Sequence, residues 1–293
     1  MTLFKSLLKN IILLFFFTAC VKELPYTGCN DFTPVCNAFI TPDHGLTVYL
    51  SYSADIMGVV VTLEGAKIDV YENGVLKNVD FTEDNGFYRS DFYPSAGNIY
   101  SIDVWKDEIK IFSASDTIPE KMIIQNPTWQ FPVGMIDEWT TAGLVSFSFE
   151  DDPHCKNYYE IMLAYRSHDG LLGYNYIMEI NNEFMTLNTD RSWQDIRSAL
   201  FSDSLINGKS VDMKIRTQGV INSNPIIIFR NVSWSYYQYR KRLPVHQFLQ
   251  NRERAVDLSF FRGEPIEMYT NIEGGFGVFA AYYQDIRECQ NIQ

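Results

Sequence analysis

A mainly β chain, built as two antiparallel β-sandwich-like domains, is the fold class this sequence predicts, and three observations predict it. Apolar and polar residues alternate at period two in run after run between residues 35 and 229, the pattern of strands with one wet and one buried face. Asn-Gly pairs at 73–74 and 85–86 punctuate those runs, and both residue types tolerate the positive φ of a tight hairpin. Aromatic residues make up 15% of the chain, with 18 Tyr, 21 Phe and 5 Trp, a bias expected where many positions are strands. At 293 residues, 46% hydrophobic and 20% charged, the chain has room for two packed cores and is not disordered.

Residues 1–19 stand outside that fold. Lys5 and Lys9 form a positive head, Ile11 to Phe17 an apolar core, and Thr18-Ala19 lead to Cys20, the order of a bacterial lipoprotein signal. The core is long enough to enter an export membrane and too short to span one, which takes about 20 residues. Cleavage before Cys20 would leave it as a lipid-bearing first residue, and stable anchoring needs more than one acyl chain, each buried CH₂ contributing about 0.8 kcal/mol. Removal of 1–19 deletes two lysines and no acids, moving the net charge from -12 to -14. That sign opposes general binding to nucleic acid. Residues 20–33 show no hydrophobic period and read as a tether.

The first domain is expected over 34–120, as an immunoglobulin-like sandwich. Leu46, Val48, Leu50 and Tyr52 alternate with polar neighbours, as do Ala66, Ile68 and Val70 up to Asn73-Gly74. A strand near Tyr88 follows the second Asn-Gly, and Tyr100, Ile102 and Val104 share one face of another. Residues 121–293 are expected to form a larger β-rich domain with one or two short helices. Val145, Phe147 and Phe149, then Tyr159, Ile161, Leu163 and Tyr165, then Tyr174, Tyr176, Met178 and Ile180 mark strands, and Val211, Met213 and Ile215 give the cleanest one. Ile226 to Phe229 is continuously apolar, fitting a strand covered on both faces. Ser192 is placed as the N-cap of a helix finished by Asn207-Gly208. Ser233 caps a second helix with Tyr236, Tyr239 and Leu243 on one face and Pro244 as its end or bend. Glu264 to Phe279 reads as strand, glycine turn and closing strand.

The exported address makes disulfides admissible. Cys20 being assigned to lipid, Cys29, Cys36, Cys155 and Cys289 leave three pairings, of which Cys29–Cys36 with Cys155–Cys289 is preferred. None has zinc-site spacing, and His44, His154, His168 and His246 are dispersed. Glu150, Asp151 and Asp152, and Asp103 with Asp107 and Glu108, lack the spacing of a calcium loop and read as solvated turns. Gly274-Gly275-Phe276-Gly277 suits a tight turn better than a phosphate cradle, because no Lys-Ser/Thr follows. Neither metal nor cofactor is implied. Arg240-Lys241-Arg242, extended by Arg252 and Arg254, form a basic patch for lipid head groups or an acidic partner, against the plainer reading of a solvated helix face.

Six stretches resemble a family of Bacteroidota envelope lipoproteins catalogued as domain of unknown function 4249. They are Val35 to Asp43, Val70 to Gly74, Asp91-Phe92-Tyr93-Pro94, Asn157-Tyr158-Tyr159, Phe201 to Lys209, and Asn271-Ile272-Glu273-Gly274-Gly275-Phe276-Gly277-Val278-Phe279. The resemblance implies an outer-membrane lipoprotein encoded beside TonB-dependent transporters, with no catalytic residues to carry over. The expected function is thus a non-enzymatic, lipid-anchored accessory of such a transporter that holds a substrate or docks on the barrel, on either the periplasmic or the cell-surface face. A hydrolase of glycans or peptides using dispersed carboxylates, which needs a concave acidic pocket in the second domain, and a structural or adhesive surface lipoprotein are the alternatives.

Overall fold

The structure is a computed structural model that describes residues 32–54, 59–167, 170–175, 177–180, 197–218, 223–250 and 266–292, with the backbone alone at 178, 179 and 248–250. The expected signal, Cys20, Cys29 and Ser192 lie outside these residues. In the first half stand β1 (Pro34–Thr41), β2 (Gly45–Tyr52), β3 (Lys67–Glu72), β4 (Val75–Lys77), β5 (Phe81–Asp84), β6 (Phe87–Ser90), β7 (Ile99–Lys106) and β8 (Ile109–Thr117). The second half holds β9 (Gln125–Met135), β10 (Thr141–Glu150), β11 (Tyr158–Arg166), β12 (Leu172–Asn175), β13 (Ile177–Ile180), β14 (Ser198–Ser202), β15 (Ser210–Gln218) and β16 (Ile226–Val232). Helix α1 (Trp234–Gln250), β17 (Phe276–Glu288) and β18 (Gln290–Asn291) follow. Asn73-Gly74 makes the hairpin expected of it, with φ of 50° and 81°, and Asn85-Gly86, with 50° and 78°, turns β5 into the expected strand at Tyr88.

Among the described residues the strands form three sheets. A nine-stranded sheet runs β12-β11-β16-β17-β1-β2-β6-β5, with β14 also on β11; a five-stranded one runs β13-β15-β10-β9-β18, and a four-stranded one β4-β3-β7-β8. Alternation explains how they stack. Cys36, Ala38 and Ile40 of β1 and Leu46, Val48 and Leu50 of β2 face Ile68, Val70, Tyr100, Ile102 and Val104 of the four-stranded sheet in one core. Tyr159, Ile161 and Leu163 of β11 and Ile227 and Phe229 of β16 face Val145, Phe147, Phe149, Val211, Met213 and Ile215 of the five-stranded sheet in another. Ile226 to Phe229 are all buried, as a strand covered on both sides must be. Each core is a sandwich sharing the large sheet, and α1 lies on that sheet's opposite face over Tyr158, Val232, Val278 and Ala280.

The shared strand is β17. Residues 276–281 pair in parallel with β1, and residues 282–288 pair antiparallel with β16. The first core therefore contains Phe279, Ala281 and Ile272 beside residues 36–118. Two pairings depart from the antiparallel expectation, β1 with β17 and β18 with β9. Both bring together segments far apart in sequence, where no hairpin dictates direction. Gly277 allows the first: its φ is +110°, and a Cβ there would drive into the carbonyl oxygen of Cys36. Asn271 holds the approach, its side chain accepting from Phe279 N at 2.9 Å and donating to Phe279 O at 2.8 Å.

Three expected elements change. Residues 198–202 are strand β14, not helix: Ala199 and Phe201 alternate into the second core and pair with β11. Residues 266–272 make no strand, because the Asn271 amide takes the place of a ladder. Helix α1 does not end at Pro244 but continues through it to Gln250, the proline lacking a backbone N–H to donate. Its cap is as expected, Tyr236 N donating to Ser233 Oγ at 3.2 Å.

Asp116 of β8 joins the two halves. It accepts from Ser233 Oγ, from Ala281 N at 2.9 Å and from Thr117 N at 2.9 Å. Burial still pushes its carboxyl from 3.8 up to about 6, against the hydrogen bonds from Ser233, Thr117 and Ala281 that lower it.

Two outcomes follow from this architecture. Gly277→Ala should destabilise the protein by about 2–4 kcal/mol in urea unfolding, through strain at β17; a loss below about 0.5 kcal/mol would mean that β1 and β17 separate at little cost. For Asp116, the folded carboxyl binds its proton more tightly than the unfolded one, so its contribution to stability rises as pH falls from about 6 towards 3.8. Unfolding measured between pH 7 and pH 4 should show the wild type gaining up to about 3 kcal/mol relative to Asp116→Asn, whereas a pH-independent difference would give Asp116 an ordinary carboxyl.

Candidate functional site

The outer face of the large sheet carries a polar row beneath α1. Period two puts Tyr158, Glu160, Met162 and Ala164 of β11 on this face, opposite the core residues. Glu160 stands directly across from Arg230 of β16, and Arg230 from Gln284 of β17. Glu160 is fully buried. Its Oε1 accepts from Arg240 Nε at 3.1 Å and Nη2 at 2.9 Å; its Oε2 accepts from Tyr236 OH at 2.6 Å and Arg230 Nη1 at 3.2 Å. Arg230 also donates to Gln284 Oε1 at 3.1 Å and to the Tyr236 hydroxyl at 2.9 Å, and its guanidinium sits 4.4 Å from the Tyr282 ring centre.

The electrostatics follow from this geometry. Burial works against the Glu160 charge, but Arg240, Arg230 and the Tyr236 hydroxyl outweigh it and hold the carboxyl below its usual range. Burial and the Glu160 charge together push Tyr236 well up. Near neutrality Glu160 is thus ionised and Tyr236 protonated. A carboxylate with both oxygens doubly satisfied is a clamp that fixes α1 on the sheet, not a proton-transfer group.

Above the clamp the first turn of α1 presents rings to solvent. Trp234 is 49% exposed, its ring 5.2 Å from Tyr158 and stacked 6.0 Å from Tyr237, and Tyr158 and Tyr237 lie 4.7 Å apart. Lys156 Nζ stands 5.6 Å from the Tyr158 ring and 5.9 Å from Trp234, and Lys241 Nζ 5.8 Å from Tyr237.

The expected site residues distribute differently. Arg240, Lys241 and Arg242 do not form one basic patch: Arg240 turns inward to Glu160, Lys241 is exposed and Arg242 is half-buried. Helical spacing sends neighbours to different sides, and Arg252 and Arg254 lie outside the described residues. Among the described residues Cys36, Cys155 and Cys289 form no disulfide with one another. Cys155 and Cys289 sit near opposite ends of β16, since β11 opens against Val232 whereas Cys289 N donates to Pro225 O at 2.9 Å. Cys36 faces the first core, where burial pushes its thiol up to about 12, and its preferred partner Cys29 is not among the described residues.

The acidic loop is only partly a solvated turn. Asp151 is buried, accepting from the Tyr159 hydroxyl and from Gly208 N at 2.8 Å, and Asp203 accepts from Asn157 N at 2.6 Å. This knot joins Asn157-Tyr158-Tyr159 to Phe201–Lys209. Asp103 pairs with Lys110 at 3.1 Å, and among the described residues no three His, Cys, Asp or Glu groups converge as a metal site. His154 is exposed, and the Gln284 amide lies 3.4 Å from His44 Nε2. His246 Nδ1 is buried without a hydrogen-bond partner among the described residues, which do not include His168.

Sequence reasoning passed over Glu160, Arg230, Lys156, Trp234 and Tyr237. One signal was present: Glu160 is a charge set among Tyr158, Met162 and Ala164 on one face of β11, and buried charges need partners. Arg240→Ala should therefore cost about 3–5 kcal/mol in denaturant unfolding, because it leaves a buried carboxylate half-neutralised. Exposed Lys241→Ala should stay within about 0.5 kcal/mol, and equal losses would place both side chains at the surface.

A comparison with known protein families matches residues 25–287 to a domain of unknown function, DUF4249. No curated protein matches the chain. Because the match takes in both cores, α1 and the polar row, the chain belongs to the DUF4249 family.

Proposed function

We propose that this protein is a lipid-anchored accessory of an outer-membrane TonB-dependent transport system, holding a substrate or docking on the barrel without catalysis. The observation that carries the reading is the run from Lys5 to Cys20, a positive head, a short apolar core and small residues before a cysteine. The first strand opens at Pro34, so the 13 residues between Cys20 and the fold span at most about 45 Å fully extended. The folded body then stays close to the membrane that the lipid enters. The clamp on Glu160 supports binding over chemistry, because it spends its charged groups on holding α1 and leaves aromatic and lysine side chains at the surface.

Metabolic labelling with palmitate should mark the wild type and not Cys20→Ala, and the variant should leave the membrane fraction. A variant that stays membrane-bound and unlabelled wild type would together remove the anchor. Purification from native membranes should bring a barrel transporter with the protein; its repeated absence would count against the transport role.

A further inference from the structure

We infer that the surface formed by Lys156, Trp234, Tyr237 and Lys241 over the buried Tyr158 is a binding site for an acidic oligosaccharide, the sugar ring lying against Trp234 and Tyr237 and its carboxylates meeting the two lysines. The inference rests on the substrate-holding form of the function proposed above and names the ligand class.

Three observations carry it. Trp234 opens half of its surface to solvent yet is part of an ordered ring cluster, with Tyr237 stacked beside it at 24° and Tyr158 beneath. Large, stiff aromatic side chains give contact area at little conformational cost, which makes them the anchors of binding surfaces. Next, Lys156 and Lys241 are exposed and neither pairs with a carboxylate among the described residues; each instead lies over an aromatic ring. In a chain with 36 acids against 24 lysines and arginines, two exposed ammonium groups beside one aromatic cluster give this surface a positive sign. Finally, the surface is preorganised. Ser233 caps α1 immediately before Trp234, and Arg240, one turn beyond Tyr236, is locked to Glu160, so the rings stand on a fixed helix over a fixed strand.

Ligand chemistry follows from the combination. Aromatic faces alone would take a neutral sugar, and lysines alone any anion. Rings and ammonium groups interleaved within 6 Å fit a polymer that alternates apolar C–H faces with carboxylates, as a uronic acid chain does. An acidic peptide carries the charge without the ring faces.

The test uses the full-length protein in detergent micelles, titrated calorimetrically with oligogalacturonate, with a neutral malto-oligosaccharide and with oligoglutamate. Oligogalacturonate should bind, at least about tenfold more tightly than either of the others, and should weaken as salt rises. Trp234→Ala should weaken it about tenfold, and Lys156→Gln with Lys241→Gln should weaken it similarly and flatten the salt dependence. Trp139→Ala, at the most exposed tryptophan of the described residues, on the tip between β9 and β10, should change nothing. The lysines are exposed and make no ion pair among the described residues, so the double variant reports on the site even where Trp234→Ala disturbs the helix. No binding, equal binding of oligoglutamate or of the neutral sugar, or binding indifferent to all of these variants would overturn the inference. Oligogalacturonate binding by a protein that brings down no transporter would leave this site standing and remove the transport role; a copurified transporter without binding would do the reverse.

Discussion

The structure depends on one strand reaching two partners. β17 is 13 residues long, and its first half lies parallel to β1 while its second half lies antiparallel to β16. Without it, β1 and β16 would each present an unpaired edge, and the first core would lose Phe279 and Ala281. The constraint is severe at Gly277, where β17 passes so close to the Cys36 carbonyl that a side-chain carbon does not fit. Around that contact the polar groups tie neighbouring layers: Asn271 to Phe279, and Asp116 to both Ser233 and Ala281. Ser233 is also the cap of α1, so the same carboxylate that anchors β8 to β17 sets where the helix begins.

From that start the helix is held by charge as much as by packing. Glu160 is buried in the middle of the sheet face, where an unpaired carboxylate would be costly. Arg230 reaches it along the sheet and Arg240 from above, so removal of the helix would strand the charge. A buried ion cluster of this kind is a poor source of net stability compared with well-packed apolar groups. Its effect is positional: only one placement of α1 satisfies both oxygens of Glu160 and the Tyr236 hydroxyl together. Phe39 and Tyr282 pack edge-on against Tyr236 and supply the apolar part of the contact.

Alternation made much of the fold legible. It placed β2, β3, β7, β10, β11 and β15 and told which residues of each face a core, because period two encodes a face directly. It carries no information about partners, so the parallel pairing of residues 35–40 with 276–281 was out of reach. Short runs misled: Ala199 and Phe201 fit a strand or a helix equally well over five residues, and only the pairing with β11 decides. The site was less legible for the same reason. Asp151 stands between two acids in sequence and reads as solvated, yet Tyr159 and Gly208 from other elements enclose it. Arg240 reads as part of a basic run, yet its carboxylate lies 80 residues away on β11.

The stretches that carry the family resemblance serve mainly to build this frame. Asn157, Asp203 and Gly208 meet in the knot at the start of β11, Phe201 packs against Tyr159, and Asn271 through Phe279 form the closing approach of β17. Family membership therefore fixes a scaffold, and a scaffold does not name a ligand. Of the five side chains in the aromatic and lysine surface, Tyr158 alone falls within those stretches, and it is the ring that packs beneath the others. None of Lys156, Trp234, Tyr237 and Lys241 joins the polar ties between layers, and Tyr237 alone of them packs on the core beneath α1. What they contribute is chemistry facing water, which is where the function of a protein on this scaffold has to be read.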